Sequence, residues 1–148
     1  MNVIHGPLSE SDLTLPIVWL PVGRRSLAKR VWRARAEDGR ELAFYLSETL
    51  QHEATVLQEA GKRYVIRQEP ESLLEIALPA DPPAAARLGW ILGNLHLSCQ
   101  IGRSWVRVPE SPEAQVALQK LGHSYHSVEA VFQPDSPAAT PHAHGPGC

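Results

Sequence analysis

The chain is poor in the residues on which most catalytic, secreted and membrane proteins depend. It has 2 cysteines in 148 residues, Cys99 and Cys148. Neither belongs to a CxxC pair or a disulfide framework, a usage that fits a reducing cytoplasm. No apolar run is long enough to span a bilayer, and the opening MNVIHGPLSE lacks a secretory signal pattern. A formal net charge of -2 gives no general attraction to nucleic acid or to an anionic membrane surface. Nucleophile motifs, phosphate-binding glycine loops, HExxH and paired-cysteine zinc patterns are missing. The neighbouring serines and histidines of residues 123 to 127, HSYHS, do not make a triad by following one another along a strand. No enzyme is expected. The basic cluster Arg24, Arg25, Lys29, Arg30, Arg33 and Arg35 invites a nucleic-acid reading. Glu37, Asp38, Glu41, Glu48 and Glu53 follow at once, which makes a solvated strand face the simpler account.

What is present is punctuation and pattern. The 13 prolines fall mostly between elements and in the carboxy-terminal stretch. The length suits one or two small domains. Leu13 to Pro16 and Val18 to Val22, broken by Pro7, Pro16 and Pro21, read as edge strands or docking segments rather than helix. Ala28 to Ala36 alternates into the turn Glu37-Asp38-Gly39-Arg40, from which Glu41 to Leu46 returns as a hairpin. Ala54 to Gln58 and Arg63 to Arg67 flank a turn at Ala60-Gly61. Residues 1–70 therefore predict a small all-β domain, and Glu69-Pro70 marks a boundary.

Beyond it the order is strand, helix, strand, strand, helix, strand. The strands are Leu73 to Leu78, Cys99 to Ile101, Trp105 to Val108 and His123 to Phe132. The helices are Asp81 to Leu97, capped by Asp81 with Pro82 first, and one capped by Ser111 with Pro112 first. Its core face is Ala114, Ala117, Leu118 and Leu121. That order over 71–133 is the ferredoxin-like βαββαβ arrangement, which makes the chain α+β overall. Residues 134–148 are rich in proline, glycine and small residues and are expected to form a flexible tail.

The first helix has more apolar surface than one small core can use. Leu88, Ile91, Leu92 and Leu95 form one stripe; Ala86, Trp90, Gly93 and Leu97 form another. A second copy of the chain is the natural cover, with Gly89 and Gly93 permitting close approach. His96 at the helix end has two readings: it caps the last carbonyls, or it faces its own copy across a two-fold axis and contributes half of a metal site. Imidazole suits nickel, copper and zinc. His142 and His144, two apart in the tail, can reach one ion together, and Cys148 can join them as a thiolate. His123 and His126 are further candidates, with His126 on the same strand face as apolar residues. Neutral imidazole is required, so affinity should fall below about pH 6.5.

Three segments carry a family resemblance: RRSLAKRVWRARAEDGRELAFYL with its Asp38-Gly39-Arg40-Glu41 turn, ARLGWILGNLHL with Leu92-Gly93-Asn94-Leu95-His96, and LGHSYHSVEAVFQP. Together they resemble the UreE family of urease accessory proteins, which are nickel metallochaperones. The resemblance implies a homodimer whose amino-terminal domain binds partners. It also implies that one His96 from each subunit binds a shared Ni2+ at the interface, with His142 and His144 completing or feeding the site. Delivery would be to the urease apoprotein, in a complex with the accessory GTPase. Cys148 extends the metals to Cu2+ or Zn2+ in vitro. Ser98 stands where many relatives have proline, and the tail has two histidines in place of a long histidine run, which argues against a large nickel store. The competing class is a structural or adaptor protein on the same two-domain homodimeric scaffold, without metal.

Overall fold

The computed structural model describes residues 1–136, which fall into two units, the first Met1–Glu69 and the second beginning at Pro70. His142, His144 and Cys148 lie outside the described residues. The architecture is α+β.

The first unit contains β1 (Asn2–Ile4), β2 (Ile17–Val22), the single helical turn α1 (Arg24–Leu27), β3 (Val31–Arg35), β4 (Glu41–Tyr45), β5 (Thr55–Glu59) and β6 (Lys62–Gln68). They make two three-stranded sheets, ordered β1-β4-β3 and β2-β6-β5. Alternation turns Leu42, Phe44, Leu20 and Ile66 into one shared core, where Trp32 stacks on Phe44 with ring centroids 3.8 Å apart. Pro21 sits on β2 at a sheet edge, the place where a missing N–H costs no ladder bond. The hairpin strand begins at Val31 and not at Ala28. Residues 24–27 instead coil into α1, which buries Leu27 and uses Gly23 O to accept from the Ser26 and Leu27 N–H groups.

The hairpin turn has a structural task. Tyr64 on β6 donates its hydroxyl to Asp38 Oδ2 at 2.6 Å, and Arg40 donates to Glu59 at 2.8 Å and to Asn2 at 3.1 Å. The turn is thereby tied to strands of both sheets. The Tyr64 hydroxyl, then the Arg40 backbone N–H, hold the Asp38 carboxyl below its ordinary range.

The second unit contains β7 (Glu71–Ala77), α2 (Pro82–Asn94), β8 (Gln100–Ile101), β9 (Trp105–Pro109), α3 (Pro112–Lys120) and β10 (Tyr125–Ala130), with the sheet ordered β10-β7-β9-β8. Asp81 and Ser111 each accept from the N–H three residues on, at 3.1 Å, and so close the first turns of α2 and α3. Leu88 and Leu92 of α2 and Ala114 and Leu118 of α3 pack on Leu74, Ile76, Val106 and Val108, so both helices cover one face of the sheet. Leu121 is not part of this core, because α3 stops at Lys120 and leaves Leu121 43 % exposed as its cap.

The opposite face is crossed by the chain itself. Leu73, Glu75 and Arg107 alternate away from the helices, and Gln100 lies opposite Arg107. After β10 ends at one edge of the sheet, Phe132 becomes fully buried and Gln133 N–H reaches Gln100 Oε1 at 3.1 Å. Asp135 N–H then donates to Cys99 O at 2.7 Å, while its carboxylate accepts from Ile101 N–H at 3.3 Å, beside the other edge strand. Residues 131–135 are therefore a strap over the sheet. Asp135 falls in the stretch that the sequence assigns to the tail, yet it is tied to β8.

Candidate metal centre

His96 follows α2, which ends three residues earlier than the apolar pattern suggests. Leu95 is the cap; Leu97 N–H donates back to Leu92 O at 3.3 Å and His96 N–H to Gly93 O at 3.0 Å. This paired arrangement needs a left-handed residue at the position after the cap, and His96 takes it, with φ 55°. The end of α3 repeats the same two bonds, His123 N–H to Leu118 O and Gly122 N–H to Gln119 O, each at 3.1 Å. There the left-handed position is Gly122, with φ 70°. Glycine is the residue such a position favours, because a Cβ is crowded there. One protein thus makes the same helix stop twice, once with glycine and once with histidine. The backbone of His96, not its ring, satisfies the helix carbonyls.

The ring is exposed and makes no hydrogen bond to a described residue. It ends a solvent-facing stripe of α2, Ala86, Gly89, Trp90 and Gly93, on which Trp90 is 68 % exposed. A Cβ added at Gly89 or Gly93 meets no atom within 4 Å, so the helix has open space along that stripe. Leu95, beside His96, lines a shallow groove with Pro112, Val116 and Ala117 of α3.

Topology separates His123 and His126 from His96. Helix α2 returns along β7, so His96 lies at the end where β7 begins. Tyr125 pairs with Ile76 near the other end, and His123 and His126 flank it. The 13-residue helix between those ends is about 20 Å long. His126 does not join the core: Tyr125 packs against the helix-side cluster, and His126 points to the opposite face with its Nε2 3.4 Å from Glu75 Oε1. Glu75 in turn holds Arg107 at 2.8 Å. Cys99, three residues past His96, is half-buried; its thiol donates to Leu97 O, and burial, then the Asp135 charge, push its pKa up, so it offers no ready thiolate.

Among the described residues, no three His, Cys, Asp or Glu side chains are gathered as a metal cage. His96 as an imidazole donor fits a borderline ion such as Ni2+, but supplies one ligand. No helix among the described residues is long and apolar enough to cross a membrane.

A family profile described as "UreE urease accessory protein, C-terminal domain" matches residues 71–147, the unit that contains His96 and the strap. The chain is similar to the urease accessory protein UreE of Azotobacter vinelandii, 34 % identical over 93 residues, which cover 61 % of this chain and 55 % of that protein. It is 33 % identical to the UreE of Nitrosococcus oceani over 103 residues, covering 68 % and 61 % of the two chains. Against the UreE of Cupriavidus necator it is 30 % identical over 148 residues, 98 % of this chain and 76 % of the relative. The chain thus spans little more than half the length of some of these relatives and three quarters of another.

Proposed function

Because the chain belongs to the UreE family of urease accessory proteins, we propose that it is a nickel metallochaperone that hands Ni2+ to the urease apoprotein during assembly of the metal centre. The observation that carries this reading is His96: an exposed ring without a described partner, on a left-handed backbone position that favours glycine. Strain retained at one residue asks for a reason beyond folding, and a metal ligand supplies one.

On this reading the second unit is a ferredoxin-like domain, an assignment supported by its βαββαβ order and its β10-β7-β9-β8 sheet. Two copies meet along the Trp90 stripe as a homodimer. The open space at Gly89 and Gly93 suits a close approach there, and a His96 from each copy then shares one ion. His142 and His144 complete the coordination. His123, His126 and Cys148 are auxiliary or transfer ligands, with Cu2+ or Zn2+ as in vitro substitutes. The first unit binds partners, among them the accessory GTPase complex, in the cytoplasm, and no catalysis belongs to the chain itself.

The tail has the reach this needs. Asp135 is bonded to Cys99, and Cys99 is three residues from His96. From Asp135 an extended chain covers about 23 Å before His142. Release is then stepwise: tail ligands leave first, and the interfacial pair is exposed to the acceptor's donors.

Nickel titration by calorimetry at pH 7.5, with the oligomer mass measured in parallel, tests the proposal. One ion per dimer, lost in His96→Ala with the fold retained, is expected. Unchanged nickel binding in His96→Ala overturns it, and binding that survives that change but disappears in His142→Ala/His144→Ala assigns chelation to the tail alone.

A further inference from the structure

The carboxylates that follow the basic cluster of the first unit in sequence do not neutralise it. Glu37 pairs with Arg67, Asp38 with Tyr64 and Lys62, and Glu53 lies beside His52. Glu41 is the one that reaches back, to Arg35 at 2.6 Å. Among the described residues Lys29, Arg30 and Arg33 are exposed and pair with no carboxylate. Positive charge is thus left over along β3 and the turn that leads into it.

Arg33 shares its side of the sheet with apolar residues. Strand β4 turns Leu42 and Phe44 into the core, so Ala43 and Tyr45 face outward; the register sets Arg33 and Val31 of β3 opposite them and Val3 of β1 beside Ala43. Val3, Val31 and Tyr45 are 52 %, 57 % and 61 % exposed, and the Tyr45 hydroxyl is bonded to no described residue. Ala43 points the same way yet is only 8 % exposed, because its short side chain forms the floor between taller neighbours. A recess of about 270 Å³ adjoins this floor against Arg33, Arg35 and Glu41. A sheet face left to water ordinarily carries polar side chains at the outward positions. This one offers an apolar hollow with unpaired cations along one side.

We propose that this outer face of β1, β4 and β3 is the surface by which the first unit docks its partner, and that the partner presents an acidic segment carrying apolar side chains. This rests on the reading that the first unit binds the proteins that receive the ion. Tyr45 and Arg33 are the residue types that anchor interfaces: the ring and the two valines take the apolar side chains, and Arg33, with Lys29 and Arg30 nearby, takes carboxylates. The unpaired charge also speeds encounter with an acidic partner and rejects a basic one. A second copy of the chain does not suit the face, since a two-fold contact there would set Arg33 against the same cations of the copy. Nucleic acid suits it less well, because tight binding to phosphate draws on roughly 6–10 contacts and the unpaired cations here are few.

The test uses the full chain, with the purified complex of urease apoprotein and accessory GTPase as the probe and binding followed by biolayer interferometry at low and high salt. Three variants are compared: Arg33→Glu, Tyr45→Ser, and Leu13→Ser, whose side chain is 73 % exposed in the loop before β2. All three side chains are exposed, so the unfolding midpoint and the nickel affinity should stay at their wild-type values. Arg33→Glu should weaken binding about 10-fold at low salt and less at high salt, Tyr45→Ser about 10-fold at either, and Leu13→Ser not at all. Wild-type affinity in both face variants overturns the proposal and leaves partner binding by the first unit standing. A wild type that does not bind the probe overturns both. An oligomer mass altered by Arg33→Glu or Tyr45→Ser gives the face to a second copy and overturns the acidic partner. Binding of a single-stranded oligonucleotide that Arg33→Glu abolishes gives it to nucleic acid, with the same consequence.

Discussion

Replacing His96 with glycine should make the protein more stable and, on the proposed function, remove its nickel ligand at the same time. A left-handed backbone disfavours a side chain by roughly 1–2 kcal/mol, and glycine returns part of that gain through its larger unfolded-state freedom. A net stabilisation of about 0.5–1 kcal/mol remains, which for a unit of this size raises Tm by roughly 2–8 °C. The internal control is α3, where the same pair of backbone bonds is closed by Gly122. His96→Ala removes the ring but keeps the Cβ, so it should bind no interfacial nickel and gain no stability. Urea unfolding followed by circular dichroism, at one protein concentration and with a chelator present, isolates the backbone effect. The chelator matters because a ligand that binds only the folded state, at 100 times its Kd, stabilises it by about 2.7 kcal/mol, and on the proposed function nickel would mask the gain in this way. A His96→Gly protein that is less stable than His96→Ala refutes the strain argument. One that still binds one ion per dimer refutes the role of the ring.

Three further outcomes follow from the same structure. Gly122→Ala should cost about 1 kcal/mol, because its Cβ meets no neighbour but its φ of 70° is retained; an unchanged urea midpoint would show that the helix stop tolerates side chains and that His96 is unstrained. Trp90→Glu should leave folding intact, since the side chain is 68 % exposed, and shift the protein to a monomer in equilibrium sedimentation; an unaltered dimer would move the interface elsewhere. Tyr64→Phe should lower the stability of the first unit at neutral pH and flatten its loss in acid, so that variant and wild type converge as pH falls. The folded Asp38 carboxyl is held below its ordinary value, so its contribution is present above the unfolded carboxylate pKa of about 3.9 and is lost as pH falls through the lowered folded value. Removing its main hydrogen bond raises that folded value, which NMR titration of Asp38 reads directly, and an unshifted carboxyl resonance would dismiss the Tyr64 contact.

The parts of the fold that were legible are those decided by near neighbours. Asp81 and Ser111 were readable as caps because a cap acts on an N–H three residues away, and the strand, helix, strand, strand, helix, strand order followed from alternation and helical period. The end of α2 was not, since the usual stop signal is a glycine and here a histidine occupies its place. Only the close of the helix at Leu95 reveals that His96 is unusual. The strap was hidden for a different reason. Its bonds join Gln133 and Asp135 to Gln100, Cys99 and Ile101, more than thirty residues back, and no local pattern encodes such pairing. Phe132 was the available clue, a large apolar residue just before a stretch of proline and small polar residues. Alternation sets His126 on one strand face with Val128, Ala130 and Phe132 without saying which face meets the helices; the register of Tyr125 with Ile76 decides it.

On the proposed reading the site must give its ion away, which needs a well-placed donor weakly held by its surroundings, and His96 meets both demands through different atoms. Its main chain is fixed by two bonds at a helix end, which sets where the ring begins. The ring itself is exposed, so no buried network has to be broken when the metal leaves. In a resident site the protein would surround the ion and accept slow exchange as a consequence of tight enclosure. Here each copy offers a single described histidine at that end of the unit, and the rest of the coordination on the proposed reading comes from a second copy and from a tail fastened nearby. Every such ligand beyond the first depends on association or tethering, and both can be reversed by a partner that competes for the same surface. On the proposed reading, binding strength and ease of release are then separable, because His96 is placed by its own backbone while every further ligand comes by association.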